Sequence, residues 1–173
     1  MNNLLIIGAG QYGMVAKEIA ESTGEYDKIA FLDDNNPVAI GKISDYVKFR
    51  SEYDCAVVAV GNSDFRLSFI NMLFNAGYNI PKLIHPRAYV SPSAKIGMGC
   101  FVEPMAVVHT DVTIMSGCII SAGAILNHNS VIEKGCHINC GSIVKSGVQV
   151  AAGTQSGYGD LFDNDYHHGS LAV

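Results

Sequence analysis

The aliphatic residues of the second half of the chain fall on a six-residue grid. Val90, Ile96, Val102, Val108, Ile114, Ile120, Leu126, Ile132, Ile138, Val144 and Val150 follow one another at intervals of six without an insertion. The residue four places after each is small or β-branched: Ala94, Cys100, Ala106, Val112, Cys118, Ala124, Ser130, Cys136, Ser142, Val148 and Thr154. A hexapeptide period marks a parallel β-helix in which three sixes form one triangular coil. Eighteen residues per coil then predicts about four coils at the inter-strand spacing of ~4.8 Å. The aliphatic residue fills the prism interior, and the second inward position lies near a tight corner where only a small side chain fits. Gly99, Gly117, Gly123, Gly135, Gly141 and Gly153 occupy the fourth position, where the turn calls for positive φ. Cys100, Cys118 and Cys136, eighteen apart, are expected to stack in one interior column as small buried apolar groups. A disulfide or a metal site is the alternative for these three.

The first half has a different pattern. Leu4–Ile7 is a short continuous apolar strand, followed by Gly8-Ala9-Gly10-Gln11-Tyr12-Gly13 and a helical segment over Met14–Ser22. A second strand, Ile29–Leu32, ends at Asp33-Asp34, and a third, Cys55–Val60, ends at Gly61-Asn62. Ser63 can cap the next helix, whose Phe65, Phe69, Ile70, Leu73 and Phe74 sit at helical spacing. Gly77 is placed to stop that helix. Strands alternating with helices predict a parallel sheet with right-handed crossovers. The chain therefore divides into an α/β, Rossmann-like domain over residues 1–84, a β-helix over 85–155, and a C-terminal tail or cap over 156–173.

Composition narrows the function. The 173 residues carry 11 basic and 16 acidic side chains, a formal net charge of −5, and no basic run. That balance argues against a nucleic-acid partner. No apolar stretch approaches the ~20 residues of a membrane span, and the N-terminus lacks the basic region of a signal peptide. The expectation is a cytoplasmic protein whose five cysteines stay reduced.

Two sets of residues carry candidate chemistry. Gly8, Gly10 and Gly13 open a helix directly after a strand, so helix N-terminal amides can receive a phosphate while glycine admits close approach. Asp33 lies 20 residues past Gly13, where a ribose-binding acid is expected. A domain of ~80 residues is one mononucleotide-sized unit, which favours nucleotide-sugar binding over a redox dinucleotide; a domain kept for packing is the remaining reading. The second set is the histidines. His85 precedes Pro86 at the domain junction and reads as structural; His167 and His168 sit in the unpatterned tail. His109 holds an outward second position of its hexad, while His128 holds the third, corner-proximal position of Leu126–Val131. His137 follows nine residues later.

These pieces, in this order, resemble the bacterial sialic-acid O-acetyltransferase and UDP-amino-sugar N-acetyltransferase family, hexapeptide-repeat acyltransferases with a Rossmann-like N-terminal domain. The resemblance rests on Ile6-Ile7-Gly8-Ala9-Gly10-Gln11-Tyr12-Gly13, on Phe31-Leu32-Asp33-Asp34-Asn35, and on Gly61-Asn62 followed by Arg66. It continues through Leu83-Ile84-His85-Pro86 and the repeats to Asn127-His128. It implies a left-handed β-helix, a homotrimer, and acetyl-CoA in the groove between neighbouring helices. It also implies a nucleotide or sugar moiety held by the N-terminal domain through Gly8, Gly10, Gly13, Asp33, Asp34, Gly61, Asn62 and Arg66. His128 matches the family's general base and His137 a position that assists substrate binding. Imidazole can take the proton of a sugar amine or hydroxyl as it attacks the thioester, and a backbone N–H can receive the oxyanion. The family supplies that amide from a glycine; Ser146 aligns with it here. Lys134 and Lys145 are candidates for the CoA phosphates. Where many members place Asp or Glu after the catalytic histidine, this chain has Asn129, which offers a hydrogen bond without charge. Glu133 is the nearest candidate for a substitute acid.

The activity this implies is N-acetylation of a UDP-linked or other nucleotide-linked amino sugar for cell-surface polysaccharide, with O-acetylation of a sialic or related sugar as the alternative. A trimeric zinc enzyme using His109, His128 and His137 would need convergent ligands, and their separations of 19 and 9 give no close pair; no metal is expected. A non-catalytic trimeric binding scaffold is the third reading, motivated by Asn129 and by a hexad pattern that stops at Val150 where family chains continue. In that picture the C-terminal segment covers the open end of the β-helix.

Overall fold

A computed structural model describes residues 2–163 of the chain. It divides into two compact units with the boundary between Pro86 and Arg87. His167, His168 and the expected capping of the open end lie outside the described residues.

The first unit contains β1 (Asn3–Ile7), α1 (Gln11–Thr23), β2 (Lys28–Leu32), a 3₁₀-helix (Ile43–Phe49), β3 (Cys55–Val58), α2 (Ser63–Asn75) and the short β4 (Leu83–Ile84). The sheet is parallel throughout with order β2-β1-β3. Central β1 is buried along its whole length, which is why Leu4–Ile7 reads as an unbroken apolar run. Leu5, Ile7, Leu32, Tyr53, Val58, Ile70 and Leu73 belong to one core cluster. Helix α1 begins at Gln11, three residues before the apolar pattern alone suggests, because Gly10 provides its N-cap. The cap of α2 is Asn62, whose Oδ1 accepts the Phe65 N–H at 2.8 Å; Ser63 is already the first helical residue. Gly77, at φ 87°, follows the helix end as expected. The 3₁₀-helix has no counterpart in the sequence reading, although Ile43, Tyr46 and Phe49 recur at its three-residue period and pack, partly buried, against the core cluster.

The second unit is a stack of two-residue strands. β5 (Tyr89–Val90), β8 (Val107–Val108), β11 (Ile125–Leu126), β14 (Ile143–Val144) and β16 (Leu161–Phe162) form one parallel ladder. β6 (Lys95–Ile96), β9 (Thr113–Ile114), β12 (Val131–Ile132) and β15 (Gln149–Val150) form a second, and β7 (Phe101–Val102), β10 (Ile119–Ile120) and β13 (His137–Ile138) stack in a third. Every pairing joins residues eighteen apart, as in Leu126↔Val144 and Ile132↔Val150. Parallel ladders in this hexapeptide register fit a left-handed β-helix. Val102, Val108, Leu126, Ile132, Ile138 and Val144 are fully buried in the prism. The ladder also continues past residue 155: Leu161↔Ile143 and Phe162↔Val144 add a rung, with Phe162 buried where the grid calls for an aliphatic. The described part of the expected tail, residues 156–163, is therefore part of the solenoid.

The corners explain the glycines. Fourth-position residues from Gly99 to Gly159 take φ between 55° and 72°, and three of them are not glycine: Met105, Asp111 and Asn129. Cys100, Cys118 and Cys136 form no disulfide and are fully buried, each thiol lying 3.0–3.1 Å from a carbonyl fifteen residues further on. The neighbouring Cys100 and Cys136 thiols, together with burial, push the Cys118 thiol up and keep it protonated.

Among the hydroxyls buried in the prism, those of Ser142, Thr154 and Ser156 are hydrogen-bonded and that of Ser130 is not. Ser130 is fully buried between Val112 and Val148 of its column, and its hydroxyl has no hydrogen-bond partner among the described residues. An unpaired buried hydroxyl costs about 1–3 kcal/mol, against which Ala leaves a void of about one atom. Ser130→Ala is expected to leave stability unchanged or raise it by up to about 1 kcal/mol. Calorimetric unfolding checks this; a clear fall in Tm would mean that the hydroxyl is bonded.

Candidate active site

His128 stands in the turn between β11 and β12, at a corner where residues eighteen apart align: Thr110, His128 and Ser146 in one column, Asp111, Asn129 and Gly147 in the next. The fourth position requires positive φ, and Asn129 meets it at 61°, a region asparagine tolerates better than most residues. Its backbone N–H donates to the Thr110 carbonyl at 3.0 Å, locking it to the rung below. From there Asn129 Oδ1 lies 3.0 Å from His128 Nδ1. With the amide oxygen facing it, Nδ1 carries the proton and donates, and Nε2 carries the lone pair. Asn129 thus sets the tautomer that a carboxylate would set, without the charge.

The same corner holds Asn127 and His109, to which the sequence reading gave no part in acetyl transfer. Asn127 Oδ1 accepts the His128 N–H at 2.8 Å. The His109 ring meets the His128 ring edge to face, with centroids 6.2 Å apart and planes at 67°. His109 Nδ1 in turn accepts the Thr110 N–H at 2.9 Å. An eighteen-residue register was enough to find both: His109 and Asn127 occupy one column, beside that of His128. Ser146 is exposed one rung from His128, and its N–H has no partner among the described residues, whereas side chains occupy the N–H groups of Thr110 and His128.

The other β-helix candidates are spread out within one chain. Lys145 shares the column of Asn127 and pairs with Asp163 at 3.3 Å. Lys134 is exposed at a different corner, where its carbonyl accepts the Gly153 N–H. Glu133 accepts a 2.7 Å hydrogen bond from Gln149 on the ladder of β12 and β15, a pairing within its own face. His137 lies on β13, with Nε2 3.0 Å from Ser121 Oγ. Residues of one chain therefore do not bring His109, His128 and His137 together, and no group of three or more potential metal ligands occurs among the described residues.

The glycine loop of the first unit forms a separate site. Gly8 takes φ 98°, and a Cβ on Gly13 would sit 2.2 Å from the Gly8 carbonyl oxygen, so both glycines are demanded by the crossing of loop and helix. Gly10 is exposed at the N-terminus of α1, with open space where a Cβ would stand. Asp33 holds this loop: Oδ2 accepts the Ala9 N–H at 2.8 Å, and Oδ1 accepts the N–H groups of Asn35 and Asn36, both at 2.9 Å. Asn36 closes the tie by donating to the Ala9 carbonyl at 2.6 Å. The Ala9 N–H above all, then that of Asn35, draws the Asp33 carboxyl below the usual carboxylate range. Asp34 is exposed and accepts the Ile43 N–H. Arg66 is fully buried, and its guanidinium donates to the Val60 and Gly61 carbonyls at 2.8 and 2.9 Å. It fastens the loop bearing Gly61 and Asn62, both exposed.

Comparison with known proteins follows this division. Residues 3–73 match the PglD N-terminal domain, and residues 93–128 match the bacterial transferase hexapeptide (six repeats). The chain is 33% identical to the acetyltransferase domain of PglB from Neisseria gonorrhoeae in its complex with acetyl coenzyme A, covering 92% of this chain and 90% of that one at a TM-score of 0.79. The chain belongs to the hexapeptide-repeat sugar acetyltransferases. A second structure of the same PglB domain superposes at a TM-score of 0.80 with 29% identity, over 94% of this chain and 92% of that one. PerB from Caulobacter crescentus, in complex with CoA and GDP-perosamine, shares the fold at a TM-score of 0.80 and 23% identity, over 95% of this chain and 90% of its own.

For this acetyltransferase, the Asp33 tie has a pH signature. A carboxyl drawn down in the folded state adds stability above its unfolded value and loses that contribution as the pH falls through its folded value. Asp33→Asn is therefore expected to be less stable than the natural protein at neutral pH, with the gap closing as the pH drops from about 5 to below about 3. Urea unfolding across that range checks it; a gap that stays constant with pH would mean that the Asp33 charge contributes nothing.

Proposed function

We propose that the protein transfers the acetyl group of acetyl-CoA to the amino group of a nucleotide-linked sugar, with His128 as general base. The observation that carries this is the His128–Asn129 pair, which leaves Nε2 with a free lone pair at a corner of the β-helix. Family membership and the acetyl-CoA complex of the PglB domain support the donor; the GDP-perosamine complex of PerB supports a sugar-nucleotide acceptor. The acceptor nitrogen attacks the thioester carbonyl as its proton passes to Nε2. The Ser146 N–H, without a partner among the described residues, is suited to receive the oxyanion of the tetrahedral intermediate. Collapse expels the CoA thiolate, which takes up a proton. On the first unit, which we read as Rossmann-like, the amides after Gly10 meet the acceptor's diphosphate. Asp33, Asn36 and Arg66 hold the loops that meet the nucleotide, and Gly61 and Asn62 contribute exposed backbone and amide.

The reading includes a homotrimer. The outward column Tyr89, Val107, Ile125, Ile143 and Leu161 forms an apolar stripe along one face, with Tyr89 55% and Ile125 37% exposed. That stripe adjoins the column of His109, Asn127 and Lys145, so a neighbouring copy covering it would bring its own residues to the His128 corner. His137, remote from His128 within the chain, then enters the site from a second subunit, and Lys134 and Lys145 face the CoA phosphates.

Product detected by mass spectrometry, with acetyl-CoA and a panel of UDP- and GDP-amino sugars and free sialic acid, tests the reading. His128→Ala is expected to lower turnover by about 10²–10⁴-fold. Asn129→Gly keeps the corner backbone and removes the orienting oxygen, for an expected loss of about tenfold; Asn129→Asp keeps the hydrogen bond and retains activity. Product from free sialic acid alone would instead favour O-acetylation, and neither product nor CoA binding would favour the scaffold.

A further inference from the structure

We propose that His109 is a positioning residue for His128, fixing the plane of its ring through edge-to-face packing. This rests on the proposed role of His128 as base. His128 is exposed, so little else restrains its side chain. The Asn129 hydrogen bond anchors one atom, Nδ1, and leaves the ring free to swing about that anchor. A second restraint must act on the ring itself, and the His109 ring is the aromatic group in contact with it, at 6.2 Å between centroids and 67° between planes. Such an aromatic contact favours the packed over the unpacked ring by a factor of roughly twofold to tenfold.

His109 is itself held in place. The Thr110 N–H donates to its Nδ1 at 2.9 Å, a bond available only to the tautomer that carries its proton on Nε2. The two imidazoles are thus pinned at the same atom in opposite senses, His109 as acceptor and His128 as donor. Thr110 stands directly below His128 in the corner column, and the Asn129 N–H bonds the Thr110 carbonyl. One residue, Thr110, therefore ties both rings: its N–H holds His109, and its carbonyl holds the residue that anchors His128. A base whose lone pair must meet an acceptor amine within a narrow cone gains from a fixed plane, because misorientation lowers the fraction of productive encounters.

The test compares His109→Ala and His109→Phe in the full-length protein, with sedimentation confirming an unchanged assembly. His109→Ala is expected to lower kcat about tenfold while both KM values stay within about twofold. His109→Phe keeps an aromatic edge-to-face partner and is expected to recover most of that loss. Carbon-13 NMR relaxation of the imidazole rings supplies a readout independent of turnover: Asn129 should hold the Nδ1–H tautomer of His128 in every variant, while the His128 ring is ordered in the natural protein and in His109→Phe and mobile in His109→Ala. Equal loss in both variants would overturn the proposal in favour of a role for the His109 nitrogens. An equally ordered His128 ring in His109→Ala would also overturn it. Loss of ring order in a protein whose His128→Ala variant still acetylates would uphold the positioning and sink the role of His128 as base.

Discussion

The stacking of aliphatic side chains inside the prism governs the whole C-terminal unit. Each coil places one such residue per face, and the next coil places its own directly above. The backbone amides then have one register in which to pair, eighteen residues along. Apolar burial selects that register, and the parallel hydrogen bonds follow from it. Once the register is set, the outward columns are set as well. The polar corner containing His109, Asn127 and His128 takes its position from that register.

The corners impose a second condition. A turn that tight requires positive φ at its fourth residue, and glycine meets it at most positions. Asn129 meets it while extending an amide oxygen to His128. The residue that closes the turn also orients the base, so backbone geometry and chemistry coincide at one position. Restricting that position to glycine, asparagine or aspartate at low strain leaves few ways to adjust the imidazole.

Much of this was legible in the sequence because the hexad grid is strict. The three faces, the interior cysteine column and the glycine corners follow from spacing alone. The boundary at 155 did not, because Ser156 interrupts the aliphatic column and Phe162 resumes it with an aromatic. In the first unit, strands were readable from their apolar runs, but Asn62 displaced Ser63 as the cap, and the 3₁₀-helix shows only Ile43, Tyr46 and Phe49 at three-residue spacing within a run of seven residues. Among site residues, the spacing that made Asp33 a candidate ribose ligand did not reveal that three backbone N–H groups already occupy its carboxylate. Arg66 gave no sign that its guanidinium would be spent on the Val60 and Gly61 carbonyls. Side-chain direction, which spacing does not encode, separates these cases.

The eighteen-residue register also decides which changes of length the β-helix can absorb. Removing one residue within a strand turns every later inward position outward and exposes the aliphatic column, as a register slip does in any sheet. Removing one full coil leaves each remaining side chain facing as before and shortens the stack by a single rung. Length in this unit is therefore quantised, and descent by duplication or loss of whole coils is open to it where loss of single residues is closed.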